Sequence, residues 1–420
     1  MSAAPSPSTT PPTTETPASP TRPVVRRRRG RAGIYAAVAV VIAVVALVAV
    51  GSSTDWYGLQ KSSANLPACS SGITLHGDGA QVATALMSVW TPAYQTQTKN
   101  IVSYPGDGSG TGLSDFTDTE LDFAMTDDPL TATEASQLPA PALTLPFVGG
   151  ALTIIYNLPG LTGHLNLTGA VLAEIYQGNI TTWNNSAIAA LNPGVSLPSQ
   201  PITTVHRSDN AGTTYVLSDY LSQSSNYWAT NVGTGISISF PKTSGGQDAE
   251  KGNALVISTV ASNKYTIGYS DLTDVLTASS PPQYAAIQNL KSGSFIVPTI
   301  ANTANAIADK VASMKTLPTS AGSWFGVSMV NANGTGDYPI ATFLYMFVYQ
   351  NTSKGYEPSL AKSQVLVQWL NWAITTGQPF ADQTTPSELY YAPLPSSIVQ
   401  IDQAGIQTMT FDGASIPACK

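Results

Sequence analysis

The sequence predicts a parallel α/β fold, and three observations support this prediction. Short β-like runs alternate with helical patterns from Ile73 onward, as in ITLHG followed by VATALMSVWTPAY, and such alternation is typical of parallel sheets with crossover helices. Hydrophobic residues make up 43% of the 420 residues, which is enough for a large core. A chain of this length is expected to form two domains and a tail rather than one domain.

Charge is distributed unevenly along the chain. Six of the 18 basic residues are arginines between positions 22 and 31, and the first 50 residues hold one acid, Glu15. Residues 51–420 therefore carry 12 basic and 24 acidic groups, a net charge of −12. Because such a surface repels nucleic acids and anionic lipid, nucleic-acid binding is not expected.

The N-terminal region predicts a membrane anchor. Residues 1–33 are rich in Pro, Ser and Thr and contain the arginine cluster, which predicts a disordered cytoplasmic tail. Residues 34–50 carry no charge and at helical rise span roughly 26 Å, enough to cross a bilayer. The basic flank predicts a cytoplasmic N-terminus, with a stalk over 51–71 and the rest of the chain outside. A cleaved signal peptide is the alternative, since residues 49–51 form a small-x-small site.

Three segments share one local design, a strand followed by a glycine-containing turn and a helix. They are 77–82 (GDGAQV), 106–112 (GDGSGTG) and 207–214 (RSDNAGTT). Each design aims free backbone N–H groups of a helix N-terminus at one point, which favours a bound anion. Ordinary connections show the same pattern, so one such segment carries little weight, but three in one chain predict an anion site.

Arg207 is the only arginine after position 31. Its planar guanidinium can donate two hydrogen bonds to an oxyanion, and Asp209, two residues on, is placed to orient it. The plain alternatives are a surface ion pair for Arg207 and an N-cap or Asx turn for Asp209.

Asp127 and Asp128 stand together before Pro129. Helix capping is the plain interpretation, with Thr131 and Glu134 at capping-box spacing, and it accounts for Asp128. Helix capping does not account for Asp127. A carboxylate in an anion pocket accepts a hydrogen bond only from an anion that carries a proton. Phosphate carries one and sulfate does not, so Asp127 predicts selectivity for phosphate.

With these loops the chain resembles the substrate-binding proteins of phosphate ABC transporters, the PstS type. The resemblance runs from about residue 73 to residue 405. It includes the motifs 149–150 (GG), 155–160 (IYNLPG), 175–184 (IYQGNITTWN), 191–194 (LNPG), 232–235 (VGTG), 267–269 (IGY), 338–340 (YPI) and 394–395 (LP). It implies an α/β fold of the type II periplasmic-binding-protein class, with a ligand cleft between two lobes. Residues 72–147 and 338–420 would form lobe I and residues 148–337 lobe II.

The resemblance also implies the ligand-binding positions. The residues expected at the phosphate are Gln81, Val82, Ser109, Asp127, Arg207, Ala211, Gly212 and Thr213, with Asp209 and Gly108 in support. The chain departs from the family pattern twice, since Gln81-Val82 replaces the usual Thr-Phe and Ala211 the usual Ser. Backbone donors remain at these positions, but each lost hydroxyl costs roughly 1.5–3 kcal/mol with a charged ligand.

The resemblance and the predicted anchor together imply a monomeric, membrane-tethered receptor outside the cell. It would bind inorganic phosphate and deliver it to an ABC permease, without a metal, a cofactor or covalent chemistry. A divergent receptor or sensor for another tetrahedral oxyanion is the nearest alternative. A phosphatase is disfavoured because the sequence offers no metal-ligand cluster or nucleophile–base pair, and an adhesive surface protein is disfavoured by the pairing of Asp127 with Arg207.

Cys69 and Cys419 are the two cysteines of the chain. The family fold brings its terminal segments into the same lobe, so the resemblance implies a disulfide, which an oxidising exterior would preserve. Their Cα atoms should then lie within roughly 7 Å of each other. Two alternatives are a lipoprotein cleavage box at 66–69, which lies far beyond the hydrophobic segment, and a pair of free thiols.

Overall fold

The structure, a computed structural model, describes residues 67–381 and 389–419. The predicted tail (1–33), the predicted anchor (34–50) and most of the predicted stalk lie outside these residues. Among the described residues, no helix combines the length and the apolar character needed to cross a membrane.

Strands and helices alternate along the described chain, which confirms the predicted α/β class. The strands are β1 (Thr74–Gly79), β2 (Ile101–Ser103), β3 (Phe123–Thr126), β4 (Ala142–Tyr156), β5 (Asn166–Leu167), β6 (Thr203–Arg207), β7 (Gln247–Glu250), β8 (Thr266–Asp271), β9 (Gln283–Tyr284), β10 (Ala286–Gln288), β11 (Phe295–Ile296), β12 (Ala341–Tyr349), β13 (Thr410–Phe411) and β14 (Ala414–Ser415). The α-helices are α1 (Thr84–Thr98), α2 (Ser109–Thr117), α3 (Ala132–Gln137), α4 (Gly169–Tyr176), α5 (Ser186–Leu191), α6 (Gly212–Ser224), α7 (Asn226–Asn231), α8 (Asn253–Ser262), α9 (Leu272–Thr277), α10 (Ile300–Ser313), α11 (Leu360–Ile374) and α12 (Ser396–Ile406). Short 3₁₀ turns occupy Gln81–Ala83, Thr352–Lys354 and Gln378–Phe380.

One mixed sheet with the strand order β2-β1-β3-β12-β4-β8-β6-β7 runs through the molecule. Strands β2, β1 and β3 are parallel and belong to the first lobe, and β8, β6 and β7 are parallel and belong to the second. The 15-residue strand β4 joins the two groups, because its first part pairs with β12 and its last five residues pair with β8.

Each lobe has an apolar core on both faces of its part of the sheet. Along β12, Phe343 and Tyr345 face one core while Leu344 and Met346 face the other, as the two-residue period of a strand requires. Along β4, Ile155 likewise points away from the core that holds its neighbours Ile154 and Tyr156. This arrangement places the C-terminal ends of β1, β3 and β6, with the loops that follow them, at one cleft.

Helix α10 packs on the first lobe. Its buried residues Ala306, Ile307 and Val311 share a core with Phe116 of α2 and with the odd-numbered side chains of β12. The sequence-based range of lobe II, 148–337, includes this helix, because strand and helix patterns alone do not reveal on which lobe an amphipathic helix packs.

The two cysteines form a disulfide, which confirms the prediction. The Cα atoms of Cys69 and Cys419 lie 4.9 Å apart across a sequence separation of 350 residues. Cys69 packs at the edge of the core formed by β1, α1 and α11, so the bridge ties the end of the chain to the first lobe.

Candidate functional site

One small cavity lies where the two lobes meet. Its lining residues are Ala80, Gln81, Val82, Gly108, Ser109, Asp127, Arg207, Ala211, Gly212, Thr213 and Asn253. The structure therefore brings all eight predicted binding positions and Gly108 to one place. Asp209 stands behind Arg207 rather than in the wall. Sequence reasoning missed Ala80 and Asn253.

Helix N-termini from both lobes open into this cavity. Helix α2 begins at Ser109 after Gly108, and α6 begins at Gly212 after Ala211, and neither N-cap residue forms a side-chain capping hydrogen bond. By contrast, a threonine hydroxyl caps both α4 and α10 away from the cavity. The first N–H groups of a helix have no partner inside the helix, so these two uncapped ends offer backbone donors to an anion.

The two lobes approach very closely at Gly212. A Cβ atom placed on Gly212 would lie 1.4 Å from Oδ1 of Asp127, which no side chain could accommodate. A Cβ on Gly110 of the first lobe would lie 2.9 Å from Cβ of Asn210. Glycine at 212 therefore lets the Asp127 carboxylate of the first lobe reach the start of α6 in the second.

Arg207 is held in one orientation by three neighbours. Its Nε and Nη2 donate to the two carboxylate oxygens of Asp209 at 2.7 and 2.6 Å, and its Nη1 donates to Oδ1 of Asn253 at 2.5 Å and to Oγ1 of Thr213 at 3.3 Å. The guanidinium has five N–H donors, so one on Nη2 is left over. The Nε and Nη2 side of the guanidinium thus faces Asp209, and one N–H donor, rather than the two that the sequence predicts for the anion, has no partner among the described residues.

Asp127 is the acidic group of the cavity and is only 3% exposed. Burial raises its pKa to about 6, with a smaller contribution from the negative charge of Asp274. The positive charge of Arg207 and a hydrogen bond with Ser109 oppose the rise. The Ser109 hydroxyl donates to Oδ1 of Asp127 over 3.4 Å, a long contact. The carboxylate therefore retains capacity to accept a further hydrogen bond.

The capping interpretation holds for Thr131 but not for Asp128. Thr131 and Glu134 form a capping box at the start of α3, as predicted. Asp128 is buried, and burial together with the neighbouring charge of Asp127 raises its pKa well above the usual range. Its Oδ1 has no hydrogen-bond partner among the described residues, so Asp128 does not cap the helix.

Asn253 completes the surroundings of Arg207. It is the first residue of α8 and is 2% exposed. Besides accepting from Arg207, it donates from Nδ2 to Oδ2 of Asp274 at 2.7 Å, which fixes which end of its amide faces the guanidinium. Asn253 follows Gly252 at the start of a helix, the same design as the three segments found in the sequence, and this is the signal that could have identified it.

No group of three or more His, Cys, Asp or Glu residues in the described ranges could hold a metal ion. The donors and acceptors of the cavity are instead backbone N–H groups, the hydroxyls of Ser109 and Thr213, one guanidinium and one carboxylate. Such a set can surround a tetrahedral oxyanion through hydrogen bonds.

Comparison with known proteins gives consistent results. Residues 44–376 match the model of the PBP superfamily domain. The chain is 34% identical over 343 residues to the phosphate-binding protein PstS of Pasteurella multocida, covering 80% of this chain and 90% of that protein. It is 32% identical over 329 residues to PstS of Xylella fastidiosa, covering 78% and 83%. The solved structure of a human phosphate binding apolipoprotein is similar in fold, with a TM-score of 0.61 at 19% identity over 82% of this chain and 100% of that one.

Proposed function

The chain belongs to the PBP superfamily and to the family of PstS phosphate-binding proteins, and from this premise we propose that it is a receptor for inorganic phosphate. The resemblance found in the sequence is thereby confirmed, as is the two-lobed α/β fold. The proposed binding residues are Gln81, Val82, Ser109, Asp127, Arg207, Ala211, Gly212 and Thr213.

One observation carries the choice of ligand: Asp127 and Arg207 enter the same buried cavity from opposite lobes. Hydrogen phosphate can donate its P–OH proton to the Asp127 carboxylate while its unprotonated oxygens accept from Arg207. The Thr213 hydroxyl accepts from Arg207, so its own proton remains available for a phosphate oxygen. Sulfate has no proton at neutral pH, and its oxygens would face the Asp127 carboxylate without a hydrogen bond.

The biological role that we propose is delivery of phosphate to the permease of an ABC transporter. We place the binding domain outside the cell, as a monomer tethered by residues 34–50, which lie outside the described part of the chain. The disulfide between Cys69 and Cys419 supports this location, because disulfides persist in oxidising compartments.

A second candidate, a receptor or sensor for another oxyanion that is not coupled to transport, is favoured by the side chains at 81 and 211. Both positions lack the hydroxyl that is usual in the family. Ala211 is the N-cap of α6 and forms no side-chain hydrogen bond there, so the second lobe offers one hydroxyl fewer.

Calorimetric titration of the full chain with phosphate, arsenate and sulfate at pH 7.5 tests the proposal. We expect binding of phosphate, weaker binding of arsenate, which also carries a proton, and no binding of sulfate. Absence of phosphate binding, with sulfate or another oxyanion bound instead, would establish the second candidate.

The variant Asp127→Asn tests the basis of selectivity in the same titration. Its amide can donate as well as accept, so phosphate binding should survive in part and sulfate should become a measurable competitor. Asp118→Asn, at an exposed carboxylate of the same lobe, is the matched control and should reject sulfate. If Asp127→Asn rejects sulfate as firmly as the parent, the carboxylate does not determine selectivity.

A further inference from the structure

A hydrogen bond crosses the cleft directly between the two lobes. Oε1 of Gln81, in the 3₁₀ turn before α1, accepts from the backbone N–H of Asn253 at 2.9 Å, over a sequence separation of 172 residues. Asn253 is the first residue of α8, whose apolar side packs on the second lobe. The start of α8 therefore receives its acceptor from the first lobe.

Helix α8 has no such acceptor of its own. Its N-cap residue is Gly252, which has no side chain, a φ of +85° and no side-chain capping bond. A Cβ at Gly252 would lie 2.8 Å from Oε1 and 3.0 Å from Nε2 of Gln81. The glycine thus leaves room for the Gln81 amide, which caps the helix in place of the missing side chain.

The capped residue is also the one that holds Arg207. The side chain of Asn253 accepts from Nη1 of Arg207 and donates to Asp274, while its backbone N–H donates to Gln81. A change in the position of Gln81 is therefore transmitted through one buried residue to the guanidinium. All of these contacts join one protein group to another. They therefore form when the lobes meet and need no bound ligand.

We propose that Gln81 and Asn253 form an inter-lobe latch that holds the cleft closed and positions Arg207, an inference that rests on the proposed function. Gln81 stands where the family usually has a threonine, a residue too short to place an oxygen at the same distance from its Cα atom. In this chain, the hydrogen bond between Gln81 and Asn253 thus stabilises the closed cleft directly, in addition to the contacts that each lobe makes with the ligand. Because the ligand leaves only after opening, the latch slows phosphate release.

The variant Gln81→Met removes the acceptor while keeping the length of the side chain. Gln97→Met is the matched control, because Oε1 of Gln97 also accepts a hydrogen bond at 2.9 Å, from Nε1 of Trp372, but within the first lobe. We expect stopped-flow measurements on the full chain to show phosphate release three- to tenfold faster in Gln81→Met and unchanged in Gln97→Met. Release from Gln81→Met within twofold of the parent would overturn the latch, and Gln81→Ala, which adds no hydroxyl to the cavity, serves as a second variant if the first unfolds.

A second measurement separates the latch from the identity of the ligand. Spin labels attached to Glu120→Cys in the first lobe and Lys264→Cys in the second, both at exposed positions, report the distance between lobes in the absence of any ligand. We expect Gln81→Met to shift the distances toward a more open cleft relative to Gln97→Met. Identical distributions would overturn the latch even if phosphate binds, whereas failure of phosphate to bind the parent would overturn the proposed function and leave this measurement valid.

Discussion

The two lobes contribute opposite kinds of group to the cavity. The first lobe supplies Asp127, whose one side-chain contact to Ser109 is long and whose pKa burial raises to about 6. The second supplies Arg207, which Asp209, Thr213 and Asn253 hold through four hydrogen bonds. The acceptor side can therefore gain or lose a proton, while the donor side is fixed. We infer that the second lobe provides geometry and the first provides discrimination.

The largest expected effect concerns the disulfide, which lies in the first lobe alone. The double variant Cys69→Ser, Cys419→Ser opens a loop of 350 residues, for which the chain-entropy model gives an upper value of roughly 6 kcal/mol. Denaturant unfolding should show this loss of stability, while phosphate affinity of the folded protein stays unchanged, because neither cysteine lines the cavity. An affinity loss equal to the stability loss would contradict this separation. Ser70→Ala and Ser71→Ala, beside Cys69, are the controls.

The variant Arg207→Lys tests the firmly held guanidinium of the second lobe. A lysine keeps the charge but loses the planar group that binds Asp209, Thr213 and Asn253 at once. Phosphate binding measured by calorimetry should weaken tenfold or more, about 1.4 kcal/mol per decade. Lys264→Arg, an exchange of the same two residue types at an exposed position, should leave affinity unchanged. Unaltered affinity in Arg207→Lys would show that the guanidinium does not hold the anion.

The pH dependence of stability in Asp127→Asn tests the carboxyl group that the first lobe contributes. The folded-state pKa of Asp127 is about 6 against a usual 3.8, so the folded protein binds this proton more tightly than the unfolded chain does. The stability from this proton is fully present at low pH and is lost as the pH rises through 6. Relative to the parent, the ligand-free variant should gain about 2 kcal/mol between pH 4.5 and 7.5, roughly 3 °C in a chain of this size.

Melting curves of the parent, Asp127→Asn and the exposed-site variant Asp118→Asn at several pH values would check this. Asp118→Asn, which removes an exposed carboxylate of the same lobe, is the reference for the change seen in Asp127→Asn. A difference between the parent and Asp127→Asn that does not vary with pH would show that this carboxyl group does not titrate differently in the folded state.

The smallest expected effect restores a hydroxyl to the second lobe. Ala211 has extended backbone angles (φ −141°, ψ 130°) at the N-cap of α6, a geometry that serine adopts readily. In Ala211→Ser the new hydroxyl should face the cavity, and phosphate binding should tighten by about tenfold, the lower end of the roughly 1.5–3 kcal/mol expected of a hydrogen bond to a charged ligand. Ala170→Ser, at an exposed position of α4, is the control. Affinity equal to that of the parent would show that the hydroxyl does not reach the ligand.

Much of the fold and of the site could be predicted because the glycine turns are local signals. Strand, glycine turn and helix are adjacent in the sequence, so Ser109, Gly212 and Thr213 could be placed at helix starts without tertiary information. Parallel strands then bring such turns to one edge of the sheet. This is why residues from three distant segments were correctly expected in one place.

What could not be predicted depends on packing between distant elements. Asn253 lies 46 positions after Arg207 and meets it only because α8 packs on the second-lobe sheet. The direction of the Arg207 fork, toward Asp209, depends on rotamers that the sequence does not specify. Asp128 was expected to serve as a cap, but the hydroxyl of Thr131 already caps α3.

The ring of carboxylates around Arg207 has a consequence for how ionic strength acts on the protein. Asp127, Asp209 and Asp274 all interact with the single guanidinium, so the cavity presents no net positive field, and residues 51–420 carry a net charge of −12. We therefore expect the anion to be held by short-range dipoles in a buried space, where dissolved ions screen weakly. Added salt should leave the dissociation rate almost unaltered and speed association, because it screens the repulsion between an acidic surface and an arriving anion.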